Sequence, residues 1–149
     1  METMTYTTVR APWHLWLIGV IAVLFNSIGV FDFVMNMAQG AKYMASAGMT
    51  PAQIAHYQQL PIWMTAVWAI GVFGAFLASI LLLLRKKAAF PVFVLSLSAF
   101  LINLLYTYVL SNGGALIGRQ MATVNVMILT LLLFFTWYSR MMGTRGVLR

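Results

Sequence analysis

The sequence predicts an all-α integral membrane protein: four transmembrane helices in one bundle, with a short amphipathic helix in the first outer loop. Three observations predict it. Of 149 residues, 62% are hydrophobic and only 7% are charged, whereas a soluble domain needs roughly 25% charged residues to solvate its surface. Four apolar runs each approach the ~20 residues that cross ~30 Å of hydrocarbon. The basic residues fall at the ends of those runs rather than inside them. Residues 1–149 are read as a single membrane domain.

The runs cover about residues 13–35, 62–84, 91–110 and 121–138. The first is too long for a signal-peptide core and contains Asp32, so it is read as a retained helix despite the cleavage-like "AQG" at 38–40. Pro12, Pro51, Pro61 and Pro91 each stand before or in the first turn of an expected helix, where a missing N–H costs nothing. The first loop is too polar to span. Its "TPAQ" at 50–53 has the form of a capping box, and predicts a helix over about 51–59 lying along the outer headgroups. "SNGGALIG" at 111–118 reads as a Gly-rich turn between spans three and four.

Orientation follows from Lys and Arg. Arg10, the Arg85-Lys86-Lys87 turn, Arg140, Arg145 and Arg149 share one side, leaving Lys42 and Arg119 on the other. The positive-inside rule places both termini in the cytoplasm (N-in/C-in). Trp13, Trp16, Trp63, Trp137 and Tyr138 then fall at span ends, as an aromatic belt would. The net charge of +7 meets acidic lipid headgroups. The lipid bilayer is the expected partner, and no nucleic acid is.

Catalytic chemistry finds few groups. No cysteine is present, which excludes disulfides, thiol redox chemistry and Cys-based metal sites. The two histidines, His14 and His56, are expected at opposite faces, ~30 Å apart, so no two-His metal or haem site is expected. The 11 methionines read as packing filler. No phosphate loop, carboxylate pair or H-E-x-x-H motif occurs. No cofactor, metal or enzymatic activity is expected.

The polar residues inside the spans are more informative. Counted from each span's own midpoint, Asn26, Asn103 and Asn125 fall at similar depth, slightly toward the outer side. Gly19, Ala22, Asn26, Gly29 and Phe33 share one helical face, as do Ser96, Ala99, Asn103 and Tyr106. Amides facing hydrocarbon would be costly, so two readings compete. They are interhelical glue, each pair contributing about 0.6–2 kcal/mol, or they line an outward-facing polar cavity walled by Trp68 and Tyr106. Gly71, Ala75 and Ser79, four residues apart, mark a close helix-packing face. Asp32 is expected ~12 Å from the middle of span one, at the hydrocarbon edge, in an interfacial ion pair with Arg119 or Lys42.

The stretches "FDFVM" (31–35), "TPAQIAHY" (50–57) and "LPIWMTAVWAIGVFGAFLASILLLLRKKAAFPVFVLSLSAF" (60–100) resemble a group of small bacterial inner-membrane proteins of about this length. The resemblance covers most of the chain. It implies a multi-pass inner-membrane protein, and the sugar-transporter label that some members carry leans toward the cavity. The residues themselves, short of catalytic groups and rich in small-residue helix faces, favour a non-enzymatic interaction or accessory subunit, in a homo-oligomer or a larger membrane complex. The alternatives are an oligomeric carrier of a small polar, sugar-like solute and a quinone- or lipid-binding accessory using His56 and Tyr57.

Overall fold

The structure is a computed structural model that describes residues 10–110 and 114–148; the side chains of residues 110–121 lie outside the described residues. It is helical throughout that range, with no strand among the described residues. Helix α1 (Trp13–Gln39) is followed by short α2 (Ala41–Ser46) and α3 (Pro51–Gln58), then α4 (Ile62–Leu83), α5 (Ala89–Leu105) with a π-helical turn (Tyr106–Leu110), and α6 (Gly114–Thr144). Four of these helices are long and apolar enough to cross a membrane, so the fold is a multi-pass membrane bundle.

The helix ends follow local chemistry. Pro12 and Pro61 stand extended immediately before α1 and α4, and Pro51 opens α3. The Thr50 hydroxyl accepts from the Gln53 N–H while the Gln53 side chain accepts from the Thr50 N–H, which satisfies two otherwise orphaned donors. Gly40, at φ 56°, turns the chain out of α1. Helix α4 ends unusually: Arg85 takes the left-handed position (φ 57°) that glycine normally fills, with Arg85 N–H on Leu82 and Lys86 N–H on Leu81. Its Nε–H donates to the Val147 carbonyl at 3.1 Å, which helps to hold that conformation. Helix α6 closes in the same way at Gly146 (φ 74°), which folds Val147 back over Met142.

Two boundaries differ from the sequence reading. Helix α6 starts at Gly114, so residues 114–118 of the expected Gly-rich turn are helical, and it runs to Thr144, past the expected end near Tyr138. The reason is composition: after Tyr138 no Pro breaks the helix, Gly143 is accommodated within it, and Gly146 takes the positive φ that ends it. Tyr138 is therefore not a belt residue. It is 2% exposed, and its hydroxyl shares a hydrogen bond with His14 Nδ1, joining α6 to α1.

Successive long helices run antiparallel and pack in chain order, α1 on α4, α4 on α5 and α5 on α6. The main core lies at the end that holds the termini, where Leu15, Leu82, Phe93, Phe135, Met142 and Leu148 are buried together. The outer faces stay apolar: Trp13, Leu17, Leu24, Ile28 and Phe31 of α1 are all exposed, as suits lipid contact. Close approach of α1 to α4 depends on Gly19. A Cβ there would stand 2.3 Å from Leu83 Cδ2 and 2.8 Å from its Cγ.

Gly19→Ala is therefore expected to lower stability by about 1–2 kcal/mol, because Leu83 must leave its position. In a Leu83→Ala background the same change should cost much less. Unfolding of the four proteins in mild detergent checks both.

Candidate functional site

The polar groups within the bundle fall into two sets. The first clamps the helices. Asn26 of α1 is buried and its Nδ2 donates to Ser79 Oγ at 2.7 Å; that hydroxyl in turn donates to the Ala75 carbonyl at 2.7 Å. On the other side of α4, buried Ser96 of α5 donates to the Gly71 carbonyl at 2.6 Å. Gly71 and Gly74 lie here against Ser96 and Ala99. The residues Gly71, Ala75 and Ser79 do pack helices, but they drift round α4: Gly71 meets α5 while Ser79 meets α1.

These contacts set the register, and the register separates the three amides. Asn26 is level with Ser79, near one end of α4. At the other end Trp63 meets the Tyr106 ring edge to face at 5.4 Å. Residues 63 and 79 of one helix lie ~24 Å apart. Half-buried Asn103 sits one turn from Tyr106, and Asn125 Nδ2 donates to the Tyr108 hydroxyl at 3.2 Å, beyond that level. One cavity lined by Asn26, Asn103 and Asn125 together is therefore not formed. Counting from span midpoints assumed that the midpoints align. They do not, because the first turns of α1 run past the end of α4 to meet α6.

The same register moves Asp32. Its neighbours fix the level: Gly29 lies against Val72 and the Phe33 ring meets Trp68 at 4.8 Å. Asp32 falls between these contacts, close to the Trp68 level, about a third of the way along the 22-residue α4 from its Trp63 end. It is half-buried. Among the described residues no ion pair joins it to Lys42, which is exposed, and the Arg119 side chain lies outside them. Its carboxylate Oδ1 instead accepts from the Tyr43 hydroxyl of α2 at 2.9 Å.

Around that bond the second set gathers. Gly40 turns α2 back toward α1, α3 follows against α2, and α3 also meets α6. This brings Tyr57 of α3 near both Asp32 and Tyr108. Burial, then the neighbouring Tyr108 and the Asp32 charge, raise the Tyr57 phenol above its usual range. Tyr43 is raised too, first by its hydrogen bond to Asp32, then by burial and by the carboxylate charge. Both phenols thus hold their protons to higher pH than an ordinary tyrosine.

Of these tyrosines the sequence reading names only Tyr57, beside His56. Tyr43 lies 11 positions from Asp32, which one continuous helix would hold ~16 Å apart on one face; only the turn at Gly40 brings them together. His56 is half-buried and packs edge to face on Tyr57 at 5.7 Å, the full bundle away from His14. No group of three or more His, Cys, Asp or Glu converges among the described residues. Comparison with family models, with curated proteins and with solved structures gives no match.

In a double-mutant cycle of Asn26→Ala and Ser79→Ala, the clamp should appear as a coupling of about 0.6–1.7 kcal/mol in unfolding from detergent or bicelles. A coupling near zero would show that the bond carries no net stability.

Proposed function

We propose that the chain is a non-enzymatic interaction or accessory subunit of a bacterial inner membrane, with both termini and the Arg85-Lys86-Lys87 turn in the cytoplasm. One observation carries the reading. The deepest polar side chains of α1, α4 and α5 bond one another or the neighbouring backbone, Asn26 to Ser79 and Ser96 to Gly71. They hold helices together instead of meeting a passing solute. What the bundle offers to its surroundings is shape and apolar surface, on the faces of α1 and α6. A membrane subunit uses such faces, since packing rather than the hydrophobic effect drives helix association in lipid. The basic residues at the termini end favour the cytoplasmic leaflet.

Extracted in a mild maltoside and weighed by native mass spectrometry, the chain should appear in a species larger than one 16.6 kDa copy. A monomer with nothing bound across several gentle extractions would overturn the reading.

The cysteine-free sequence makes the topology directly testable. Gln59→Cys should react with a membrane-impermeant maleimide added outside spheroplasts, and Ala88→Cys should react only after lysis. The reverse pattern would invert the orientation.

A further inference from the structure

We propose that residues 145–148, which follow α6, are a latch that closes the termini end of the bundle and swings on Gly146. This inference does not depend on whether the chain works as a subunit. Part of the geometry is an ordinary helix cap: Gly146 is left-handed (φ 74°) and the Val147 N–H donates to the Met142 carbonyl at 3.0 Å. A cap needs no more than that, yet here the next residue is buried as well. Val147 is 3% and Leu148 1% exposed, although Thr144, Arg145 and Gly146 just before them are exposed. Both belong to the core that Leu15 of α1, Leu82 of α4 and Phe93 of α5 also form. Packing in chain order leaves α1 and α6 at the two ends of a row. The His14–Tyr138 hydrogen bond and this shared core tie those ends together.

Two further features fit a moving part held by a catch. Arg85 ends α4 at φ 57°, a conformation that favours glycine, and its Nε–H donates to the Val147 carbonyl at 3.1 Å, 62 positions away. A glycine would make that turn without strain but could not reach the segment, so the arginine serves the catch rather than the turn. Gly143 lies one turn before Gly146, inside α6, and a Cβ there would meet nothing within 4 Å. Packing therefore does not require this glycine. Its effect is to weaken the last helical turn, which gives the latch a second soft joint. Closed, the latch seals the apolar core; released, it would bare Ala89, which begins α5 and is 0% exposed.

The test uses the cysteine-free chain, intact in maltoside, with single cysteines and N-ethylmaleimide. Exposed Ala88→Cys sets the free rate, its buried neighbour Ala89→Cys reports the latch, and Ala75→Cys, buried further along α4, reports opening of the whole bundle. Ala89→Cys should react at least about tenfold more slowly than Ala88→Cys, because labelling waits for local opening. Leu148→Asp, whose charge resists burial, should erase most of that protection. Arg85→Gly should speed Ala89→Cys about threefold or more, through the loss of one hydrogen bond, and leave Ala75→Cys unchanged. Were Arg85 only a turn residue, Arg85→Gly would relieve strain and slow the reaction or leave it unaltered, and the proposal would fall. It falls too if Leu148→Asp leaves Ala89→Cys protected, or if Ala89→Cys alone reacts as fast as Ala88→Cys. Acceleration of Ala75→Cys in step with Ala89→Cys also overturns it, because the bundle then loosens as a whole. Helix content and a monodisperse elution profile confirm that each variant is folded; if Leu148→Asp does not fold, Arg85→Gly decides.

Discussion

A backbone carbonyl inside an α-helix already holds one N–H, yet the Gly71 carbonyl accepts a second donor, the Ser96 hydroxyl, at 2.6 Å. That contact brings two helix backbones close, with Gly71 and Gly74 of α4 lying against Ser96 and Ala99 of α5. In hydrocarbon there is no water to replace a lost partner. The hydroxyl therefore fixes the sliding position of α5 on α4, not merely their contact. The Asn26–Ser79 bond does the same for α1 on the other side. With α4 pinned on both faces, the heights of all other side chains follow, including those that come from no spanning helix.

The position of Asp32 is one such consequence. Its level comes from α1 being offset along α4, and the offset comes from the termini end. There Leu15, Tyr138 and Met142 form a continuous core with Val147 and Leu148, and His14 bonds Tyr138. The first turns of α1 are needed to complete that core. They pull the remainder of the helix along, which leaves the carboxylate close to the Trp68 level of α4. The two ends of the bundle thus divide the work: apolar packing at one end, a polar cluster roofed by α2 and α3 at the other.

Much of the architecture was legible because its signals are local or periodic. Length and apolar runs marked the four long helices, prolines marked the starts of three of them, and the Thr50–Gln53 spacing marked a cap that is formed. The face Gly19, Ala22, Asn26 is buried, and so is Ser96 with Ala99, since a 3.6-residue period needs no knowledge of the partner helix. Depth was not legible in the same way. It depends on how helices slide against each other, and Gly19 on Leu83 or Ser96 on Gly71 are pairings between distant segments. The Tyr43–Asp32 bond is the extreme case, because it needs both a chain reversal at Gly40 and the dip of a short helix toward α1.

The neutral phenols give the cluster its electrical character. Burial and the Asp32 charge both oppose ionisation of Tyr57, and the hydrogen bond opposes that of Tyr43. A raised phenol favours the fold fully below the ordinary tyrosine range and loses that contribution as pH climbs through the raised value. Near neutrality, then, these rings carry no charge of their own. Tyr43 donates to the carboxylate, and the charge of the cluster is that of one side chain. Raising the Tyr43 phenol and orienting the carboxylate are two results of the same contact, and both depend on α2 staying folded against α1. Loosening that short segment would break the Tyr43–Asp32 bond, so the connection between α1 and α4 is part of the polar cluster and not only a link between spans.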